Sequence, residues 1–437
     1  MKRYTKITII KGLAILFAGC WIPLRAQDNI QLINLETVLE LGGANNLIIQ
    51  EYKHRQELAI ANLAKEREWW LPDIRAGATT HQLWGSAMTT DGTILTGLDR
   101  QYFWTGAGLS ASWNFGEGIY NAKSANLQSQ SAMYLTQAER NKALLEIIQT
   151  YYDFQAAQFY FQSYGQLVVQ ADTISAQIAV QVESGFRYES ELLLARSNSN
   201  HLKVEMLNAR KEYSIASAKL TKLLNLGPSV RLVSTDTALI PLQLMPDANI
   251  SSGFDSVYLN RPEIKREELM VKSLQAEKKT TTTGLLLPEL RIGTYGSYFG
   301  DVFSPLYPTG EINAALVWKI PLGRLIYGGD LKQYNSQIAI RQVILQQTRA
   351  EVSEEVTNAK ELLHISKVQI EMAEEGNRLA GEALLQSMQR QSLGTVRPFE
   401  ILQAQEVYIK TRLDYLTAVS DYNKAQYALY LATGKNL

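Results

Sequence analysis

A long internal repeat constrains this chain more than any other feature of its 437 residues. The segment LPDIRAG at Leu71–Gly77 returns as LPELRIG at Leu287–Gly293, and the segment Gly185–Ala195 returns as Gly394–Ala404 at nearly the same spacing. Matching landmarks keep their order along both halves. A repeat of this length predicts a protomer built from two similar halves, since each copy of a repeated sequence folds into the same kind of unit.

Each half contains segments in which apolar residues alternate with small or polar ones. In the first half the alternation runs from Phe103 to Phe115, and in the second from Glu311 to Leu322. A period of two predicts strands whose two faces meet different surroundings. The predicted strands cover about 73–84, 103–115, 289–299 and 311–322, joined by polar loops at 86–101 and 300–309. About ten residues can cross a bilayer as a tilted strand, although a half-buried soluble sheet gives the same pattern.

Very long helices follow the strands. The stretch from Glu117 to Glu183 contains no proline, and at about 1.5 Å per residue it would extend for roughly 100 Å. Apolar residues in both halves recur at steps of three, four and seven, which predicts helices packed side by side over a great length. Each helix ends at a glycine-containing turn, at Gly185 or Gly394, and a second helix returns. The prediction is a helical hairpin over 117–224 and another over 327–432.

These elements give a domain organisation with four parts. Residues 1–26 resemble a signal peptide, with Lys2, Arg3 and Lys6 before an apolar run and Ala26 before a plausible cleavage point. The first repeat covers 27–224, a proline-rich linker that should wrap the helical tube at its equator covers 225–261, and the second repeat covers 262–437. The leading helix of each repeat spans 36–70 or 262–282.

The only cysteine, Cys20, lies inside the predicted signal peptide. The segment Phe17–Cys20 is close to a lipoprotein box, so both a lipidated Cys20 and a cleaved leader without lipid stay open. After residue 26 no run of about 18 apolar residues occurs, which excludes a transmembrane helix from the sequence pattern.

Composition and motifs point away from nucleic acid and from catalysis. Lys plus Arg and Asp plus Glu each number 43, so no basic excess favours nucleic acid. The four histidines are scattered and have no second ligand at metal spacing, and no glycine loop for phosphate occurs. We therefore expect no enzyme activity, no metal site and no cofactor.

The repeated pattern resembles the TolC-like outer-membrane factors, also called outer membrane efflux proteins, across nearly all of the mature chain. The resemblance rests on Leu-Pro before the first strand of each half, on Asn260–Glu263 opening the second half, on the strand-to-helix joins, and on the two tip turns at Gly185–Ala195 and Gly394–Ala404. It implies a mainly α fold with a β-barrel portion. Three protomers would close one twelve-stranded outer-membrane barrel, continued by a long periplasmic α-helical barrel.

The resemblance also implies a function and partners. The chain would be the outer-membrane channel of a tripartite efflux pump or a type I secretion system in a Gram-negative bacterium. As a homotrimer in outer-membrane lipid it would form a passive exit duct for small molecules or proteins. A periplasmic adaptor and an inner-membrane pump of RND or ABC type would open its tip. A periplasmic coiled-coil scaffold or adaptor without a barrel is the alternative, and the exported substrate stays open.

Several residues receive roles through the resemblance. Glu400 occupies the first acidic position of the pore constriction, Gln403 replaces the second, and Glu191 is the matching residue of the first half. The tip turns and the adaptor docking surface would include Gly185, Arg187, Gly394 and Arg397, with both arginines expected to be exposed. The lipid-facing strand residues would be Phe103, Leu109, Trp113, Ile312, Leu316 and Trp318.

Overall fold

A computed structural model describes residues 29–89, 91–244, 254–300, 305–393 and 397–437. The predicted signal peptide with Cys20, and Gly394 of the second tip turn, lie outside the described residues. The strands are β1 (Asn29–Ile33), β2 (Asp73–Met88), β3 (Ile94–Asn114), β4 (Val230–Ser234), β5 (Glu289–Gly300) and β6 (Tyr307–Val317). The α-helices are α1 (Leu35–Asn45), α2 (Leu47–Arg67), α3 (Phe115–Glu183), α4 (Glu189–Leu223), α5 (Phe254–Asn260), α6 (Pro262–Lys278), α7 (Leu322–Tyr327), α8 (Gly329–Ser392) and α9 (Pro398–Ala432).

The order of elements is the same in both halves: leading helix, β-hairpin, long helix, tip and returning helix. The long helices α3 and α8 have 69 and 64 residues, and the returning helices α4 and α9 have 35 each. This order confirms the predicted fold class, a duplicated and mainly helical chain with a sheet portion. The linker region between the halves contains β4 and α5.

Three elements differ from the predicted ones for local physical reasons. The first leading helix is interrupted at Asn46, whose side-chain oxygen accepts hydrogen bonds from the backbone N–H groups of Ile48 and Ile49 and so caps a new helix. The first β-hairpin is longer than expected, because β2 and β3 stay paired up to Met88 and Ile94. Strand β6 ends at Val317, since its partner β5 begins opposite it at Glu289 and offers no further backbone groups.

The chain forms two compact units, and each unit draws on both halves of the sequence. Unit one comprises the described residues up to 44 together with 147–241 and 370–421, and unit two comprises 45–146, 242–369 and 422–437.

Unit one contains a small parallel sheet of β1 and β4, which polar side chains of α3 hold in place. The Tyr151 hydroxyl donates to the Asp236 carboxylate at 2.6 Å, and Gln155 donates to the same oxygen at 2.7 Å. The Gln158 side chain accepts from the Ser234 backbone N–H at 2.9 Å. Burial, followed by the bond to Asp236, raises the pKa of the Tyr151 phenol. The linker strand is therefore fixed to a helix by specific hydrogen bonds, because buried polar groups need partners.

Apolar side chains of α3, α4, α8 and α9 pack together in the rest of unit one. One cluster is formed by Ile174, Ile178, Leu192, Ala195, Leu384 and Ile401, and a second by Leu167, Val168, Ala171, Leu202 and Ile409. Their spacing of three, four and seven residues along each helix matches the heptad-like pattern of the sequence.

Unit two contains a four-stranded antiparallel sheet in the order β2-β3-β5-β6. The two hairpins, one from each half, lie side by side and are joined through β3 and β5. A helical core packs α5, α6, α8 and the end of α9, with Val257, Ile264, Val352, Val356, Leu363 and Leu429 among its buried side chains.

Arg261 connects three parts of unit two. Its guanidinium bonds Glu263 at 3.0 Å and Glu355 at 2.5 Å, and it donates to the carbonyl oxygens of Leu431 and Ala432 at the end of α9. Burial acts to lower the pKa of this guanidinium, but the two carboxylates outweigh it and the pKa is raised. The planar fork of Arg suits this set of acceptors, whereas a Lys ammonium would reach fewer of them.

We expect Arg261→Ala to lower the free energy of unfolding by about 3 kcal/mol, because it leaves two carboxylates and two helix-terminal carbonyls without their donor. Chemical denaturation of the purified protein measures the change. Arg261→Lys, which keeps the charge but loses the fork, should give an intermediate loss. A stability equal to wild type for the Ala variant would contradict the role assigned to Arg261.

Candidate functional site

The strand register assigns every residue of the four-stranded sheet to one of two faces. The even-numbered residues 74–80 and the odd-numbered residues 103–113 share a face with the even-numbered residues 290–298 and 308–316. No Asp, Glu, Lys, Arg or His occurs among them. Within these rows one face of the sheet is thus free of charge in all four strands, and Asp99 lies on the same side beyond them, in the extension of the first hairpin.

The predicted lipid-facing residues fall on this charge-free face with one exception. Phe103, Leu109 and Trp113 of β3 lie on it together with Ile312 and Leu316 of β6. The exception is Trp318, which lies beyond the end of β6 and belongs to no strand. The Trp113 indole donates to the Trp70 carbonyl oxygen at 2.5 Å, so its polar atom is satisfied although its ring is largely apolar.

The opposite face carries all the charges of the same rows: Asp73, Arg75, Glu289, Arg291 and Glu311. Glu289 pairs with Arg291 at 2.8 Å and accepts from the Ser112 hydroxyl at 2.6 Å. The ring of Tyr295 lies over Gly108, where a Cβ atom would come within 2.4 Å of it, so only glycine fits. The sheet is therefore amphipathic, with a polar, hydrogen-bonded side and an apolar side.

The tip of the first helical hairpin is closed by a Schellman turn. The Phe186 N–H bonds the Gln181 carbonyl at 2.9 Å and the Gly185 N–H bonds the Val182 carbonyl at 3.0 Å. This motif places one residue in the left-handed conformation, and Gly185 has φ of 76°. Glycine is needed here because a side chain would strain this conformation.

Arg187 connects this tip to the second hairpin. Its guanidinium donates to the Gln181 side-chain oxygen at 2.6 Å and to that of Gln391, in the last turn of α8, at 3.2 Å. It also lies 3.6 Å from the Glu191 carboxylate. We call Arg187, Gln181 and Gln391 the tip clasp. The expectation of an exposed Arg187 is wrong, because only 9% of its side chain is exposed.

The predicted constriction residues differ in their surroundings. Glu400 and Gln403 are exposed on the first turns of α9, and the nearest cation to Glu400 is Arg390 at 3.9 Å, with both side chains more than half exposed. Glu191 instead directs its carboxylate to Arg187. Arg397 is exposed, as expected. The negative charge of Glu400 is therefore much less compensated than that of Glu191, since an exposed pair at this distance is weak.

The described residues contain neither a helix that could span a membrane nor a cluster of metal ligands. No described helix combines the length and the apolar composition that crossing a membrane requires. No group of three or more His, Cys, Asp or Glu side chains in the described part of the chain is arranged to hold a metal ion.

Comparison with known proteins connects these elements to a family. Residues 39–226 match the model of the outer membrane efflux proteins. The matched residues make up less than half of the chain. The match agrees with the family that the sequence pattern resembles. No curated protein matches this chain in sequence.

Solved structures of outer-membrane channels share the fold of this chain. The CmeC outer membrane channel of Campylobacter jejuni is 16% identical with a TM-score of 0.76, and the match covers 92% of this chain and 85% of that one. The MtrE outer membrane channel of Neisseria gonorrhoeae, in its open state, is 15% identical with a TM-score of 0.76, covering 92% and 89%. The outer membrane protein VceC of Vibrio cholerae is 14% identical with a TM-score of 0.75, covering 92% and 96%.

We expect Arg187→Ala to loosen the first tip, because each bond from a guanidinium to a buried partner stabilises by about 2 kcal/mol. Amide hydrogen exchange over residues 181–191 should then become more than tenfold faster, while exchange in the middle of α3 stays unchanged. Arg397→Ala at the second, exposed tip position is the matched control and should have little effect. Equal exchange rates in the two variants would refute the tip clasp.

Proposed function

We propose that this chain is the outer-membrane channel of a tripartite efflux pump or a type I secretion system. It would be a passive exit duct for small molecules or proteins, placed in the outer membrane of a Gram-negative bacterium and extending into the periplasm. The observation that carries the proposal is the charge-free face of the four-stranded sheet, in a chain whose residues 39–226 match the model of the outer membrane efflux proteins. Lipid tolerates such a face, and charged residues on it would be costly.

Assembly into a trimer follows from the same sheet. Four strands are too few to close a barrel of useful width, and an open sheet edge leaves backbone groups unpaired in lipid. Three copies would supply twelve strands, two hairpins from each copy, and remove every edge. The long hairpins of α3 with α4 and of α8 with α9 would then surround a periplasmic tunnel.

The charge-free face favours this function over a periplasmic scaffold or adaptor. A soluble scaffold would need a second layer to cover Ile74, Leu109 and Ile312, whose side chains are exposed in the single chain. A lipid bilayer covers the same surface without any additional protein. The match of residues 39–226 to the outer membrane efflux proteins supports the same choice.

The constriction is proposed at the start of α9. A ring of three Glu400 carboxylates near a threefold axis attracts cations and repels anions. Gln403 on the same face leaves this ring thinner than a double acidic ring. Glu191 would contribute less, because Arg187 already compensates its charge.

The tips are the proposed docking surface for a periplasmic adaptor and, through it, an inner-membrane pump of RND or ABC type. Phe186 and Tyr188 flank Arg187 in the first tip turn and are 84% and 79% exposed. Exposed aromatic side chains of this kind are frequent at binding surfaces. We propose that docking includes the turns at Gly185 and Gly394 with Arg397, and that Arg187 acts by holding the first turn in shape.

An arginine placed on the charge-free face should prevent membrane assembly. We expect Leu109→Arg to cost about 2–4 kcal/mol, whereas Ser110→Arg, one residue along on the polar face, should be tolerated. The measurement is the amount of heat-stable, membrane-inserted oligomer in outer-membrane fractions. Equal loss for both variants would exclude a lipid-facing side at Leu109.

Conductance in a planar lipid bilayer tests the channel itself. The wild-type protein should give stable, cation-preferring steps. Glu400→Gln should lower the ratio of cation to anion permeability several-fold, because the ring charge is lost. Glu406→Gln is the matched control, since Glu406 is also exposed on α9 but lies about 120° around the helix from Glu400. Protein that stays soluble without detergent and never conducts would overturn the channel function.

A further inference from the structure

The two outer strands of the four-stranded sheet each have an open edge. Among the described residues, β2 pairs only with β3 and β6 pairs only with β5. All 11 residues of β6 are exposed, and nearly all of β2 is exposed as well. Long exposed edges with free backbone groups are ready to pair with another chain.

Strand direction determines how these two edges can meet. Every pairing within the sheet is antiparallel, so β2 and β6 run in opposite directions. If β6 of one copy meets β2 of a second copy, the new pair is antiparallel as well. The same contact repeated around an axis closes a ring of identical copies.

A closed barrel also requires a stagger at this contact. Following the hydrogen-bonded rows across the sheet, Arg75 lies in the same row as Gly108, Tyr295 and Glu311. Strands of a barrel tilt by about 40° from the axis, and four strands at about 4.8 Å spacing span about 19 Å. Because of this tilt, the row that leaves β6 of one copy meets β2 of the next copy about 16 Å, or about five residues, further along the strand.

We call the number of residues in this shift the step. Its size and its direction follow from the need to match the two faces of the sheet and from the lengths of β2 and β6. Only an even step keeps the charge-free faces continuous, because a shift by one residue exchanges the two faces of a strand. A shift toward the start of β2 is impossible, since Pro72 and a helix precede Asp73. A step of six toward the end of β2 places all of β6 opposite residues 75–85, and the irregularity between Gly85 and Ala87 then lies where this pairing ends.

Charge favours a step of six over a step of four. Glu311 is the only charged residue of β6 and lies on the polar face. A step of four would place it opposite Thr79, whereas a step of six places it opposite His81, the one residue of β2 on that face that can become a cation besides Arg75. The step of six also keeps Ala314 opposite Ala78 on the apolar face.

We propose that β6 of one copy pairs antiparallel with residues 75–85 of β2 in a second copy, with Glu311 beside His81 across the seam between copies. The proposal rests on the proposed channel function and adds the register in which the copies join. Cross-strand pairs of opposite charge stabilise a sheet and specify its register.

Disulfide trapping in the full-length protein tests this register. Residues directly opposite in an antiparallel pair have Cα atoms about 4.5–5.5 Å apart, which suits a disulfide, whereas a shift by several residues exceeds the range. The variant carrying His81→Cys and Glu311→Cys should form covalent trimers several-fold more efficiently than variants that combine Glu311→Cys with Thr79→Cys or with Arg75→Cys. Single-cysteine variants control for Cys20, the natural cysteine of the chain.

The outcomes separate the register from the channel function. Strongest trapping at Arg75 or Thr79 would overturn the step of six, and so would a conducting trimer that no pair traps. Equal disulfide yields in all three variants would also overturn the step of six, since they would indicate random encounters between cysteines and not a fixed strand pairing. Protein that forms neither trimers nor conducting channels would refute the proposed function together with the seam.

Discussion

The hydrogen-bonding need of strand edges is the constraint on which the rest of this molecule depends. A bilayer offers no partner to backbone N–H and C=O groups, so a four-stranded sheet with one charge-free face can persist in lipid only after its edges are paired. In the proposed channel, that need makes the second and third copies part of the fold. The same assembly would give partners to the long helices, since helices of 69 and 64 residues exceed what a single globular core can cover.

Elements governed by local periodicity could be predicted from the sequence. Alternation over Phe103–Phe115 specifies a strand and its apolar side, and the ladder pairs that side with the apolar residues of β5. The glycine at position 185 specifies a reversal, because only glycine adopts the required backbone conformation without strain. Repetition strengthened each of these inferences, since the same pattern occurs in both halves.

Elements governed by distant partners could not be predicted. The pairing of β1 with β4 joins segments about 200 residues apart, and neither segment alternates clearly enough to be recognised. Arg187 appeared exposed because it follows a turn, yet its partner Gln391 lies 204 residues further along the chain. The end of β6 at Val317 depends on where β5 begins. In each case the deciding interaction is absent from the local sequence.

The differences between the two halves matter as much as their similarity. Strand β2 has 16 residues and β6 has 11, and the longer hairpin extends past the shorter one at the end of the sheet that contains Met88 and Ile94. If the two hairpins were equal in length, a staggered contact between copies would leave unpaired backbone groups at one end of each seam. In the proposed seam the extra residues of β2 supply partners for a shifted β6, so the asymmetry between the repeats would permit tilted strands in a symmetric assembly.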